Sequence, residues 1–491
     1  MNERRGLSLL TKIIYGSGDW GLATFNTLRL IFYGIFLTDV VGLEPRLASL
    51  AAFFGVLWDA VNDPLVGVIS DKTRSKWGRR RPFLLIFAVP YGLAFLMLWW
   101  APPIHSQVLL MFAIMALYAL SDTFQTLVIV PFQAMTPEIS TDYDERTALA
   151  GFRMLFNFLA SIVTAMAAPM IVQRVLASGG TQQQGYFLAA AAFGLTAVVP
   201  YLLIFFTVKE RPEAARRLEM NSFRESLRIA WRNIPFRYAT AIYMLNWVTF
   251  DLLGMVLPFL LTYWVAGGDL LAKVPVLGLP IASAVLGLML ITALAAVPFW
   301  VWLAKRIGKR LAYIIALAVW AVLLLLVPFI PQGAYGLTMA LGVAMGFSVS
   351  AAHVLPDAIF PDVIDWGELR TGRRHEGVFY GIKNFVRKLT TAFAIFLMLQ
   401  VLGWLGYTAP ARGLTRWAQP SAALWGMRIL VGPVGAVLLL ATIVVTWFFP
   451  LDRDRFLRVR RLLERRQARD AARAAAGSSL PARGEKEGIA D

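Results

Sequence analysis

Two acids one helical turn apart carry the chemistry that stands out first in this chain. In the run Asp59-Ala60-Val61-Asn62-Asp63-Pro64 the carboxylates are four residues apart, so a helix places both on one face with Asn62 beside them. Buried like charges that close repel strongly, and a shared proton or a bound cation removes the repulsion. Hard cations such as Na⁺ take oxygen ligands. Asp59, Asp63 and the Asn62 amide supply them, with room for a hydroxyl such as Thr126 from another helix, which makes Asp59 and Asp63 the candidate metal ligands. The competing reading is structural, with the acids neutralised by Arg153 or Lys388 as salt bridges that fix packing.

Other chemistries are closed off by composition. The 491 residues include no cysteine, which excludes disulfides, thiolate metal sites and cysteine nucleophiles, and the three histidines, His105, His353 and His375, are scattered. His353 is expected to pack in the interior rather than carry protons. Hydrophobic residues make up 58% and charged residues 16%, more apolar surface than one water-soluble core uses. The net charge of +17 raises the possibility of nucleic acid, but the basic residues lie in short loops between apolar segments, so no nucleic-acid partner is expected.

Those apolar segments must position the acids. Stretches long enough to cross a bilayer run at about 11–37, 45–70, 83–100, 107–135, 147–173 and 185–207, then 237–266, 279–304, 311–330, 335–360, 378–405 and 421–449. Lipid offers no partner for free backbone groups, and the runs are long and continuous, so twelve helices are predicted rather than a barrel. The first run holds Asp19 and Arg29 and no cleavage pattern, so it is expected to remain as a membrane helix rather than act as a signal peptide. Loops rich in Lys and Arg, from Lys72 to Arg81, Lys305 to Arg310 and Arg370 to Arg374, fall on one side, which predicts that side and both termini to be cytoplasmic. The organisation expected is an N-terminal six-helix bundle (1–207), a cytoplasmic linker (208–236), a C-terminal six-helix bundle (237–450) and a basic tail (451–491) with 11 Lys/Arg against 7 Asp/Glu, partly disordered and lying on anionic lipid.

An ionisable group at mid-membrane costs roughly 2.5–3.5 kcal/mol on insertion scales. This chain places Asp19, Arg29, Asp59, Asp63, Asp122, Arg153, Asp251, Lys383, Arg387 and Lys388 inside its apolar runs. A wet central cavity accounts for so many together better than separate packing ion pairs do. Gly16-Ser17-Gly18-Asp19-Trp20-Gly21 fits a GxGxxG pattern, but no strand precedes it and it lies in an apolar run, so close helix packing is expected there rather than a dinucleotide.

The stretch Trp58 to Phe83, WDAVNDPLVGVISDKTRSKWGRRRPF, resembles the helix 2 to helix 3 region of the major facilitator superfamily. More narrowly it is similar to the glycoside-pentoside-hexuronide:cation symporters, the melibiose carrier family, and Ala304 to Arg310 looks like the reduced echo in the second half. DERTALAGFR ending at Arg153, Asp362 to Gly377 and Asn384 to Lys388 follow the same family's order. The resemblance implies a cation site of Asp59, Asn62, Asp63 and Thr126, with Arg153 and Lys388 beside it in coupling roles. The positions of the family's galactoside acids align with Ala23 and Ile129, and its nearby aromatic with Gln133, which argues against melibiose itself. Asp19, one turn before Ala23, and Asp122, about one turn before Thr126, are the acids left for sugar hydroxyls, and Lys383 is available for a uronide, so Asp19, Asp122, Gln133 and Lys383 form the expected substrate set. Asp71, Arg79 and Arg80, with Glu368 and Arg373 in the second half, are expected to act as gating charges.

The expected function is cation-coupled uptake of a sugar or glycoside by alternating access in the inner membrane, driven by Na⁺, Li⁺ or H⁺, with no other cofactor, no enzymatic activity and no obligate protein partner. Two rivals remain. One is a carrier of lysophospholipid-like amphiphiles, which an apolar cavity with a lateral opening would favour and a ring of polar groups would oppose. The other is a membrane-embedded sensor.

Overall fold

The computed structural model describes residues 7–140, 143–210, 228, 230–371, 376–410, 414–451, 455–459, 461–465 and 468–469. Among them are twelve helices long and apolar enough to cross a bilayer. They are α1 (Leu9–Val40), α2 (Pro45–Lys72), α3 (Arg81–Leu98), α4 (Gln107–Thr136), α5 (Ala148–Ala177), α6 (Gln182–Thr207), α7 (Ile234–Val265), α8 (Ile281–Ile307), α9 (Lys309–Phe329), α10 (Tyr335–Arg370), α11 (Phe379–Trp404) and α12 (Ser421–Trp447). Most follow the apolar runs within a few residues. Helix α10 continues well past its run because Asp357, Asp362 and Asp365 end the hydropathy signal before they end the helix. Most of the expected linker, the disorder expected of the tail, and Arg373 lie outside the described residues.

Large apolar side chains point outward as freely as inward. Leu195 is 70% exposed and Val437 63%, an arrangement that a hydrocarbon solvent tolerates and water does not. Inside the first bundle, Phe25 stacks on Phe95 with ring centroids 3.5 Å apart, and Trp99 stacks on Tyr186. The glycine pattern in α1 is a packing stripe, as expected. A Cβ on Gly16 would lie 2.7 Å from the Phe152 Cβ, and one on Gly18 would lie 2.5 Å from the Phe132 ring. Only glycine lets α1 approach α4 and α5 so closely.

The helices form two six-helix bundles, α1–α6 and α7–α12. Between them α2 packs on α11, α5 on α8 and α1 on α7. Shifting each helix by six turns the α2–α11 pair into α8–α5, so the interface repeats the chain's internal symmetry. Twelve crossings put both ends of the helical region on one side of the membrane, here called the termini side.

The bundles are clamped together on the opposite side. There α1 ends in a π-helical turn, Phe36–Val40, and α7 in another, Leu260–Val265. The Asp39 carboxylate on the first accepts hydrogen bonds from the hydroxyls of Tyr263 on the second and Tyr407 in the α11–α12 connection, and from Thr38 at 2.8 Å. Gln173 on α5 donates to the carbonyls of Leu270 and Ala272 at 3.3 and 3.2 Å, and Gln400 on α11 donates to Ser49 Oγ at 2.8 Å.

Candidate functional site

Helix α2 presents Asp59 and Asp63 on one face at mid-depth, as their spacing requires. The Lys388 ammonium from α11 donates to Asp59 Oδ1 at 2.9 Å, to the Asp59 carbonyl at 3.1 Å and to Asp63 Oδ2. The Thr126 hydroxyl on α4 donates to Asp63 Oδ1 at 3.2 Å. Asn62 is buried, and its amide nitrogen has no hydrogen-bond partner among the described residues. The four residues expected to ligate a cation therefore lie together, with Lys388 among them. Pro64 adds a feature that the sequence reading missed although the residue was in view. It lies inside α2 and removes the N–H that a helix would aim at the Ala60 carbonyl, so this oxygen is left facing the same turn.

Asp122, expected to bind substrate, belongs to this cluster instead. It lies one turn before Thr126 on α4, is 2% exposed, and has Asp59, Asp63 and Lys388 within electrostatic reach. Its Oδ1 is 3.5 Å from Arg29 Nη1, while Oδ2 has no hydrogen-bond partner among the described residues. Three carboxylates thus face two cations, Lys388 and Arg29, leaving the cluster one positive charge short. A monovalent cation or a proton is what it lacks.

Arg153 does not join them. Its guanidinium holds Asp19 in a two-point pair at 3.0 and 3.1 Å, and donates to Thr136 at 3.2 Å, because α5 packs against α1 rather than α2. Asp19 is therefore committed to an ion pair inside the first bundle. Lys383 pairs with Asp357 on α10 and lies over the rings of Tyr243 and Phe360. Gln133 is exposed near the termini-side end of α4.

A cavity lies between the bundles, and none of the four expected substrate residues lines it. Its volume is about 320 Å³. Asn26 and Thr27 on α1, Asn157 and Ser161 on α5, Trp247 on α7, His353 on α10 and Arg387 on α11 line it at the pole nearer the termini side. The rest is mostly apolar, including Leu30, Leu257, Leu261, Val285, Leu286, Leu341 and Val431 toward the clamped end, with Thr338 and Ser350 as further polar side chains. Arg387 reaches the wall while held by fully buried Asp251, with Nη2 to Oδ1 at 2.9 Å, by the Thr391 hydroxyl, and by the Trp247 ring at 4.0 Å.

On the termini side the expected gating residues form a network within the first bundle. Arg80 bonds Glu138 and Asp71, each at 2.7 Å, and Arg79 bonds Glu138 as well. Glu210, which follows α6, accepts the backbone N–H groups of Arg79, Arg80 and Arg81 at 2.7 to 2.9 Å and so caps the start of α3. Gly78 precedes it at φ +111°, with the Glu210 carboxylate 2.7 Å from where a Cβ would stand, so both the backbone and the space require glycine. The second half repeats the device in reduced form as Lys309 bonded to Asp362 at 2.7 Å. Glu368 lies near the termini-side end of α10.

Two like bundles around a closed-ended central cavity, with unbalanced charge at mid-depth, define a secondary transporter that works by alternating access. The family model described as MFS/sugar transport protein matches residues 14–453, and the chain belongs to that family. Among its relatives, an uncharacterized symporter of Synechocystis is 27% identical, covering 94% of this chain and 97% of its own length. The human sodium-dependent lysophosphatidylcholine symporter 1 is 27% identical, covering 92% and 88%. An Escherichia coli protein with a provisional glycoside/cation symporter name is 26% identical, covering 97% and 98%. In fold, the chain matches a bacterial homologue of the lysosomal transporter Spinster, solved inward-facing and unoccupied, with a TM-score of 0.63 at 10% identity over 93% of this chain and 97% of that one.

Proposed function

We propose that this protein is a Na⁺-coupled symporter of an amphiphile, a solute with one apolar chain and a polar head, in the cytoplasmic membrane, with the termini side cytoplasmic. The observation that carries the reading is the shape of the cavity's chemistry, polar at one pole and mostly apolar along its depth. A sugar needs partners around its whole rim, and the acids expected to provide them are bound elsewhere, Asp19 by Arg153 and Asp122 beside the cation cluster. The sodium-dependent lysophosphatidylcholine symporters among the relatives support both the ion and the solute class.

Coupling follows from competition at Asp59 and Asp63. Lys388 is a tethered cation from the second bundle, and it occupies the acids that a Na⁺ ion would need. When Na⁺ arrives, ligated by Asp59, Asn62, Asp63 and Thr126, the ammonium leaves and the α2–α11 contact loosens. When Na⁺ departs on the cytoplasmic side, Lys388 returns. The structure with the bundles clamped on the opposite side then corresponds to the state after release, and 1–207 and 237–450 are the two units that rock. Cation and solute each favour the same bundle arrangement, which is the requirement for coupling.

The test is uptake into proteoliposomes of a labelled lysophospholipid, an alkyl glucoside and free disaccharides, with and without a Na⁺ gradient. Accumulation of chain-bearing solutes only under the gradient is expected. Accumulation of free sugars without any chain-bearing solute would overturn the substrate class, and equal uptake without a gradient would overturn the coupling.

A further inference from the structure

The polar pole of the cavity contains donors without acceptors. His353 lines the wall among the rings of Phe158, Trp247 and Phe250, with centroids 5.9, 5.2 and 5.8 Å away. Neither of its ring nitrogens has a hydrogen-bond partner among the described residues, and a neutral imidazole always has one N–H to give. Beside it stands Arg387. A guanidinium carries five N–H groups. Asp251 takes two of them and the Thr391 hydroxyl a third, so two remain at the cavity wall.

The carboxylates nearby are already used. Both oxygens of Asp251 are bound to Arg387, and Asp357, one turn from His353 on α10, is bound by Lys383. The open face of Trp247, where a quaternary ammonium would otherwise settle, is covered by the Arg387 guanidinium at 4.0 Å. A cationic head would therefore meet a covered ring and no free carboxylate, only the uncharged acceptors of side chains such as Asn157 and Ser161. An anionic head would meet three N–H groups converging from α10 and α11.

We propose that His353 and Arg387 form a receptor for an acidic headgroup, a phosphate or carboxylate, on the amphiphile whose chain fills the apolar depth. This rests on the amphiphile reading above, but the two fail separately. Asp251 acts as a positioning residue: by taking one edge of the guanidinium it fixes the other edge toward the cavity, and its buried charge keeps Arg387 from leaving. His353 adds a donor that a ligand can meet without displacing an existing bond.

The experiment measures binding to the purified full-length chain in nanodiscs by quenching of tryptophan fluorescence, using decyl phosphate, decanoate, decyl glucoside and decyltrimethylammonium below their micelle-forming concentrations, and glycerol phosphate without a chain. Decyl phosphate is expected to bind roughly 10- to 100-fold tighter than decyl glucoside, the range for one or two charge-assisted hydrogen bonds. Decanoate separates a free fatty acid from a phosphate ester as the source of the charge. His353→Ala should lose part of that preference, and His353→Gln, which retains a donor, should recover some of the loss. Replacing Asp251→Asn and Arg387→Gln together, so that no buried charge is stranded, should remove the rest. Equal affinity for all heads, tighter binding of the ammonium compound, or an undiminished preference in His353→Ala would each overturn the headgroup site while leaving the amphiphile reading intact. If glycerol phosphate binds as tightly as decyl phosphate, the acidic pole stands and the amphiphile reading falls. If none of the five binds, both fall.

Discussion

The two bundles are joined by carboxylates in two places, one buried and one part-exposed, and the two joints are built differently. At the end away from the termini, Asp39 is met by three hydroxyls from Thr38, Tyr263 and Tyr407. At mid-depth, Asp59 and Asp63 share a single ammonium from Lys388, with Asp122 close by and one of its oxygens unused. Hydroxyls satisfy the first joint without any mobile charge, so nothing in solution competes for it directly. The second holds its acids with a charge that a dissolved ion can replace. A latch and a switch thus differ here in whether the partner of the acid has a soluble competitor.

Removing the competitor should give the largest effect. In Lys388→Ala the cluster keeps three acids against Arg29, so a cation binds more tightly, by tenfold or more if the pair contributes about 1.4 kcal/mol or above. Release then slows, and net uptake driven by a Na⁺ gradient should fall by about 100-fold while cation binding persists. Equilibrium ²²Na⁺ binding measured beside uptake checks both halves, and weaker cation binding in the variant would sink the competition model. Asp63→Asn should do the reverse, removing a ligand and with it most cation binding, while leaving the Lys388–Asp59 pair in place.

The latch should respond less, and through access rather than affinity. Asp39→Leu strands two phenols in the interface, a loss of about 2 kcal/mol that changes the ratio of closed to open by roughly 30-fold. Because the chain has no cysteine of its own, Gln173→Cys supplies a unique reporter beside the Leu270 and Ala272 contact. Labelling of that cysteine by a membrane-impermeant maleimide should accelerate when Asp39→Leu is added. An unchanged rate would mean that the other contacts hold this end without Asp39.

How much of this could be read from the chain depends on the range over which each feature is decided. The helices were legible because hydropathy is a local response to lipid, and α10 ran past its predicted end where acids interrupted that response. Asp59, Asn62 and Asp63 were legible because one turn of one helix brings them together; Thr126 as a further hydroxyl and Lys388 as a neutralising partner were named from the charge argument, and the family resemblance pointed to the same two. Asp39 gave no signal. An acid at the end of an apolar run looks solvated, and its partners are 224 and 368 residues away. Arg153 and Asp122 were placed at the wrong neighbours for a related reason. Position along a helix fixes depth, but which helix a side chain turns toward is set by packing between helices. His353 was discounted as an interior histidine; its missing hydrogen-bond partner shows only once the cavity has walls.

The smallest effect expected belongs to the network on the termini side. Arg80 joins α2, α3 and α4 through Asp71 and Glu138, and all of these lie within one bundle. If the network gated by bridging the bundles, breaking it would change the open-to-closed ratio as strongly as breaking the latch does. Because the bonds of Arg79, Arg80 and Glu210 stay inside the first bundle, they stiffen one rocking unit instead. Glu210→Gln keeps the shape and an acceptor oxygen but removes the charge at the start of α3, a change of about 0.5–1 kcal/mol. The expected outcome is a small fall in thermal stability of the purified protein, with the labelling rate of Gln173→Cys unaltered. A change in that rate comparable to the Asp39→Leu effect would show that the network senses the far end of the molecule, and the division between latch and stiffener would have to be given up.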